Sequence, residues 1–315
     1  MQFDVAAFGE LVIDLVPVAS PQGLVFDAKP GGAPGNVAAG VARLGLAAAM
    51  LSKVGDEALG AAVLEALAAC GVDTRAVVRA RGEKTPLAVV SVAADGERDF
   101  TLYRENCADA TYAAHEVSLD VVRAARILHV GTLSLAAPTS AAAHRAAMRC
   151  ALDTGNRISA DPNFRPAFWR DRNAMRQAGL ELAAAAHILK VSDEELAFLT
   201  GIAEIPAAVR SLWHSSLIAV AVTKGPAGAD LFTEERRISV PGFTVRAVDT
   251  VGCGDAFTAA FLAGLLEAGP GEMGDSALET IGVRACAAGA IIAMSSGAME
   301  SMPTRTAIDT FLRSQ

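Results

Sequence analysis

The chain has 315 residues, of which 52% are hydrophobic and 20% charged, and a formal net charge of -8. This is enough apolar material for one large α/β domain with an appendage, or for two domains, and it excludes a disordered chain. The negative balance argues against non-specific binding of nucleic acid but leaves room for a local phosphate site.

The first ten residues carry acids where a secretory signal carries bases, so no targeting segment is expected. No run reads as long and apolar enough to span a membrane; 44–51 is short and flanked by Arg43 and Lys53. Five cysteines, an odd number without a C-x-x-C pair, point to reduced thiols and a cytoplasmic setting. The five histidines are scattered without ligand spacing, so a structural zinc site is not expected.

Residues 3–8 predict a short buried strand, interrupted by Gly9-Glu10 and resumed as an apolar run over 11–16. Asp14 lies inside that run, where an acid is costly to bury unless it is paired or faces a ligand. A strand-end aspartate facing water is the structural alternative. Residues 29–36, Lys-Pro-Gly-Gly-Ala-Pro-Gly-Asn, predict a tight loop before a helix over 37–44. Gly31, Gly32 and Gly35 remove side chains where a polar ligand could touch backbone N–H groups, and Asn36 adds a two-way hydrogen-bonding group. An ordinary strand–helix turn needs fewer glycines and prolines around one asparagine.

A strand is predicted over 47–54 and a helix over 59–70, stopped by Gly71. The runs 87–92 and 99–103 predict a hairpin turning at Asp95-Gly96. With extended pieces near 11–17 and 24–28 it makes a small sheet outside the main body. From about 107, strands (126–131, 157–161, 187–191, 217–223 and 229–232) alternate with helices (near 116–124, 139–153, 171–184 and 206–213). Such alternation predicts a parallel sheet with helices on both faces and ligands at the C-terminal strand ends. Polar clusters follow three of these strands: Asp161-Pro162-Asn163-Phe164-Arg165, Ser192-Asp193-Glu194-Glu195 and Thr223-Lys224-Gly225. Each has a structural alternative, respectively a turn, a capping box and a loop.

The stretch Asp249-Thr250-Val251-Gly252-Cys253-Gly254-Asp255 precedes an alanine-rich apolar run that reads as a buried helix. A glycine loop at a helix N-terminus offers free N–H groups and the positive end of the dipole to an anion. Asp255 in the same turn either caps the helix or holds a hydroxyl beside a phosphate. Gathered on one edge, these clusters have what phosphoryl transfer needs: an anion cradle, an acid (Glu195) to organise magnesium through water, and carboxylates (Asp255, Asp14) to position a hydroxyl. The outlying hairpin would serve as a lid. There is no G-x-x-x-x-G-K-[ST] and no early G-x-G-x-x-G, which disfavours P-loop ATPases and nicotinamide dehydrogenases.

These motifs resemble those of the PfkB, or ribokinase-like, carbohydrate kinases, and within them most closely the fructokinases. Gly31 to Ala38, with Gly45 and Gly55 in step, looks like the N-terminal signature, and Asp249 to Asp255 like the C-terminal one. The Gly9-Glu10 opening, Tyr103-Arg104, 161–165 and 222–226 are similar to fructokinase sequences. The resemblance implies a three-layer α/β/α core with a mostly parallel central sheet (about 1–10, 30–85 and 107–315) and a β-sheet lid (about 11–29 and 86–106). It implies transfer of the γ-phosphoryl of ATP to a sugar, D-fructose giving fructose 6-phosphate. Kinases for 2-keto-3-deoxygluconate or other sugars and nucleosides, or a silent sugar-binding regulator, are the alternatives.

By the same resemblance Asp255 is the base, and Gly252, Cys253 and Gly254 form the anion hole. Asp14, Gly32, Asn36, Tyr103, Arg104 and Arg165 bind the sugar. Ser192, Thr223 and Gly225 bind nucleotide, and Glu195 belongs to the Mg²⁺ network. Asp249, Val251, Ser295, Gly297 and Ser301 hold a monovalent cation, usually K⁺. Two departures stand out: Ser192 replaces the asparagine of the family's N-x-x-E motif, and Cys253 replaces a commoner Ala or Ser. The expected partners are sugar and ATP, with a homodimer through the exposed lid edge, and neither nucleic acid nor membrane.

Overall fold

The computed structural model describes residues 2–18, 20–21, 23–92, 98–269 and 274–315. In chain order the strands and helices begin β1 (Phe3–Phe8), β2 (Val12–Val18), β3 (Val25–Gly31), α1 (Ala33–Arg43), β4 (Ala48–Gly55), α2 (Ala58–Ala69), β5 (Val77–Ala80), β6 (Leu87–Val92) and β7 (Arg98–Tyr103). They continue α3 (Leu119–Arg123), β8 (Ala125–Gly131), α4 (Pro138–Asp153), β9 (Arg157–Asp161), α5 (Arg172–Ala185), β10 (Ile188–Ser192), α6 (Asp193–Thr200), α7 (Ile205–Leu212) and β11 (Ala219–Thr223). The last are β12 (Ala229–Phe232), β13 (Arg237–Val240), α8 (Cys253–Ala268), α9 (Asp275–Ala293) and α10 (Arg305–Arg313).

Nine strands form the main sheet in the order β13-β12-β11-β10-β9-β8-β1-β4-β5. β1 runs parallel to both β4 and β8, and the parallel pairing continues through β9, β10 and β11. Helices cover both faces, so the inner strands are largely buried on both sides, while the edge strands β5 and β13 keep exposed residues. Alternation sorts the side chains between layers. Val5 and Ala7 pack with α1, α8 and α9, whereas Ala6 and Phe8 pack with α4 and α5. Phe8 is fully buried and stacks on Tyr112 at 5.4 Å between ring centroids, a site where truncation to Ala costs about 3–5 kcal/mol.

The second sheet, β3-β2-β6-β7, is the small one expected from 11–17, 24–28 and the hairpin. The Asp95-Gly96 turn lies outside the described residues. Three findings correct the sequence reading. The loop predicted over 29–36 ends early: Lys29 to Gly31 close β3, and α1 starts at Ala33, so Gly35 and Asn36 lie in its first turns. Pro34 starts that helix without loss because its missing N–H needs no partner there. β12 is antiparallel to β11, and β13 to β12, so this edge of the sheet is a hairpin and not a further parallel crossover. Finally, α9 is long and apolar enough to cross a membrane, with a mean hydropathy of 1.4, contrary to the expectation that no run is. It packs against α8 and β13, which accounts for its apolar composition.

The C-terminal ends of β1, β4, β8, β9, β10 and β11 face one edge, as parallel pairing requires. They deliver Glu10, Thr132, Asp161, Ser192 and Thr223 toward the start of α8.

Candidate active site

α8 begins without a side-chain cap. Its N-cap, Gly252, has φ 83°, and a Cβ there would lie 2.4 Å from the Ala298 methyl, so the turn requires glycine twice over. The Cys253 amide leans on Thr250 O at 3.3 Å. The amides of Gly252, Gly254 and Asp255 have no acceptor among the described residues, leaving donors aimed at an anion. Cys253 is therefore the one expected donor that is already engaged. Its thiol, pushed up to about 11 by burial and by Asp249 and Asp255, stays protonated.

Asp255 does not cap the helix. Its carboxylate is buried and accepts from Asn36 Nδ2 at 2.8 Å and from Asn163 Nδ2 at 3.4 Å. Asn163 adopts φ 41°, held by its own amide on Asp161 Oδ1 at 3.1 Å. Burial raises the Asp255 carboxyl above the usual range, opposed by Asn36, Lys190 and Arg165. A carboxylate with a raised pKa is a better base than an ordinary one. Asn36 Oδ1 is buried without a partner, an acceptor held ready for a hydroxyl.

Gly32, at φ 108°, lets α1 start against the backbone of β1–β2: a Cβ would fall 2.5 Å from Glu10 O. Asp14 on β2 stands nearby, its pKa raised to about 6 by burial and by Asp249 and Asp255, against Arg165. Arg165 is exposed, and among the described residues its guanidinium donates to its neighbour Phe164 O alone, which leaves it room to turn toward a ligand.

Arg104 is engaged with protein groups in this structure. It is paired with Asp109 at 2.6 Å, donates to Leu133 O at 3.3 Å and lies over the Phe168 ring at 5.2 Å. Its fork is committed to protein, and it ties the end of β7 to the core. Tyr103 is 60% exposed and lines a groove of about 510 Å³ with Glu57, Lys84 and Glu105, away from α8.

A separate cavity of about 480 Å³ runs from Cys253 and Gly254 to Thr223 and Gly225, walled by Phe257 and Ala290, within the range of small-molecule sites. Thr223 and Gly225 thus sit where a nucleotide would lie with its phosphates on the α8 amides. Ser192 does not line this cavity. It is the N-cap of α6, accepting from Glu195 N at 3.1 Å, while Glu195 Oε2 accepts from Ser192 N at 2.9 Å. A serine fills that cap as well as an asparagine would.

Glu195 Oε1 also accepts from Phe164 N at 2.9 Å. Burial works to raise its pKa, but Lys190 and these amides hold the carboxyl below the usual range. Each oxygen keeps a lone pair for a metal-bound water. Among the described residues no three His, Cys, Asp or Glu side chains cluster as metal ligands. A hydrated Mg²⁺ carried by phosphates would fit this arrangement, with the Glu195 oxygens available to its waters. For the monovalent cation, Asp249, Val251 and Gly297 share one small cavity with Asp14. Ser295 and Ser301 do not line it, and their hydroxyls donate to Ile291 O and Ser296 O, each at 3.3 Å.

Two residues escape the sequence reading altogether. Lys190 is buried on β10 and bonds Asp161 Oδ2 at 3.0 Å, and Asp109 anchors Arg104. Lys190 had a signal, a charge inside the apolar run 188–191, the same signal that marks Asp14. Asp109 sits in an irregular segment with none. Glu10 and Asn163 enter the sequence reading only as members of clusters.

A doubly covered α/β sheet whose strand ends face an uncapped helix start, a buried carboxylate and a nucleotide-sized cavity is the architecture of an ATP-dependent sugar kinase. The chain belongs to the pfkB family of carbohydrate kinases, whose family model matches residues 2–305. It is 38% identical to fructokinase-1 of Oryza sativa subsp. japonica over 309 residues, covering 96% of each chain. To fructokinase-2 of Solanum lycopersicum it is 36% identical over 314 residues, covering 98% of this chain and 96% of that one. Among solved structures, the fructokinase of Xylella fastidiosa with bound ATP superposes with a TM-score of 0.90 at 28% identity, covering 100% and 99% of the two chains. The fructokinase of Vibrio cholerae O395 in its fructose, ADP and calcium-bound form gives 0.87 at 27% identity, covering 98% and 99%.

Proposed function

We propose that this kinase phosphorylates D-fructose at its 6-hydroxyl, with Asp255 as the base. The observation that carries the reading is the placement of Asp255: a buried carboxylate turned by Asn36 and Asn163, next in the chain to Gly254, which lines the cavity together with Thr223 and Gly225. Asp14, Gly32 and Asn36 hold the sugar with a hydroxyl against Asp255, and Arg165 closes over it. The hydroxyl oxygen forms a bond to the γ-phosphorus as the bond from that phosphorus to the bridging oxygen breaks. The proton passes to Asp255, and the electron pair leaves on ADP. Free amides at the start of α8, chiefly Gly252 and Gly254, receive the charge of the migrating group. Since such transition states are loose, positioning and charge stabilisation carry most of the rate. Glu195 would hold Mg²⁺ through water, and the ion would supply neutralisation of phosphate charge when bound with the nucleotide.

Fructose is supported by the full-length similarity to fructokinases and by the neighbour with bound fructose and ADP. The committed fork of Arg104 weighs against a keto-acid substrate, which would need it beside Arg165 to pair a carboxylate. K⁺ is a further cofactor in this reading, held by Asp249 and backbone oxygens of Val251 and Gly297, where it offsets buried negative charge. β2, β3, β6 and β7 act as the lid, and the exposed Val18, Leu24 and Val25, where the end of β2 meets the start of β3, support a homodimer. The odd cysteine count supports a reducing, cytoplasmic setting. The test is ATP turnover across fructose, ribose, 2-keto-3-deoxygluconate and adenosine. Fructose is expected to be preferred; turnover of the keto acid alone overturns the substrate, and turnover of none overturns catalysis.

A further inference from the structure

Gly254 is helical in backbone, so its lack of a side chain is not explained by a left-handed turn. The space its Cβ would fill is taken by Lys190: the ammonium nitrogen lies 3.0 Å from that point and the adjoining carbon 3.7 Å. Lys190 is buried on β10, and among the described residues its ammonium donates to one acceptor, Asp161 Oδ2 at 3.0 Å. Two of its three protons therefore have no protein acceptor. A cation at the positive end of α8 is unfavourable in itself. The arrangement makes sense when an anion with more than one charge completes it.

We propose that Lys190 is a catalytic residue of this kinase: its ammonium, through the gap left by Gly254, donates to the phosphoryl group in flight and holds it in line with the sugar hydroxyl. The inference rests on the phosphoryl-transfer reading of the Asp255 site. Lys190 keeps its proton throughout; Asp161, Glu195 and Asp255 surround it with negative charge, which holds it in the charged form. Asp161 fixes the ammonium on one side, as a strut. The charge lies with the protein before nucleotide arrives, so it complements the amides at the start of α8 without reorganising.

The test compares wild type, Lys190→Met, and the double variant Asp161→Asn/Lys190→Met, with fructose and MgATP. Removing both charges takes out the Lys190–Asp161 pair together, so the double variant avoids the unpaired Asp161 that the single one leaves, although Glu195 and Asp255 keep their charge. In both variants kcat is expected to fall by about 100-fold or more while KM for fructose stays within a few-fold. Affinity for ADP–aluminium fluoride with fructose falls in parallel, and affinity for ADP alone does not. The proposal is overturned if Lys190→Met keeps most of its kcat, if the double variant recovers activity, or if ADP and its fluoroaluminate complex weaken equally. The fructose assignment fails on a different observation, a wild-type enzyme that leaves fructose unphosphorylated. The Lys190 ratio is then read on whichever panel sugar is turned over, so the two are decided separately.

Discussion

Asn36 Nδ2 and Asp255 Oδ2 are 219 positions apart in the chain and 2.8 Å apart in the fold. The bond joins the first turns of α1 and α8 and turns the carboxylate toward the strand ends. Asp255→Asn keeps the shape of the side chain and removes its basicity. It is expected to lower kcat by about a thousand-fold, with KM for sugar and ATP within a few-fold. Steady-state kinetics check this; near-normal turnover would remove Asp255 from the chemistry.

Because burial raises the Asp255 carboxyl, the base is lost to protonation at a higher pH than an ordinary aspartate would be. Asn36 lowers that pKa, as do Lys190 and Arg165, while Asn163 bonds the other oxygen and Asp14 faces the same site. Asn36→Ala therefore moves the acid limb of the pH–kcat profile to higher pH. An unmoved or lowered limb contradicts the assignment. Asp14→Asn serves as the control, because Asp14 itself titrates near 6 and its contribution to the limb vanishes in that variant.

Glu10 is buried beside Thr132, His129 and Asp161, and burial lifts its pKa from 4.5 to about 7. A raised carboxyl favours the folded state while protonated; that contribution is full below about 4.5 and is lost as pH rises through about 7. Glu10→Gln, always neutral, should match wild type in denaturant melts near the lower value. At about pH 9 it should be more stable by up to about 3 kcal/mol. Equal stability at both ends would show that Glu10 gains a compensating partner when ionised.

The Arg104–Asp109 pair predicts a loss of stability instead of a loss of sugar affinity. Arg104→Met leaves Asp109 buried and unpaired, at a cost of about 3–5 kcal/mol, and adding Asp109→Asn recovers much of it. KM for fructose should change little once the fold is restored. A large rise in KM in the double variant would return Arg104 to the sugar site.

If K⁺ is bound at Asp249, replacing potassium by tetramethylammonium lowers kcat several-fold in wild type. Asp249→Asn, which weakens the site, loses the difference between the two salts. Initial rates in matched ionic strength decide it.

Much of this site was legible in the sequence because its parts are local. The glycines around Asn36 and Asp255, and the acids after strands, announce themselves by residue type and by their place relative to apolar runs. The capping box at Ser192 and Glu195 was legible for the same reason. What the sequence withheld is pairing. Arg104 looked available because nothing marks Asp109 as its partner, and Lys190 looked like a strand residue until Asp161 and Gly254 were placed on either side of it. The hairpin direction of β12 was hidden too, since strand propensity carries no sign of parallel or antiparallel pairing.

The buried carboxylate of Asp255 and the two amides that orient it, Asn36 and Asn163, come from the last, first and middle thirds of the chain. During synthesis strand β1, which pairs early with β4, waits for β8 to supply its second neighbour, and the orienting amides wait longer still for the carboxylate they turn. A nascent chain thus stays catalytically mute through most of its elongation. Phosphoryl transfer switches on only after α8 has cleared the ribosome and docked.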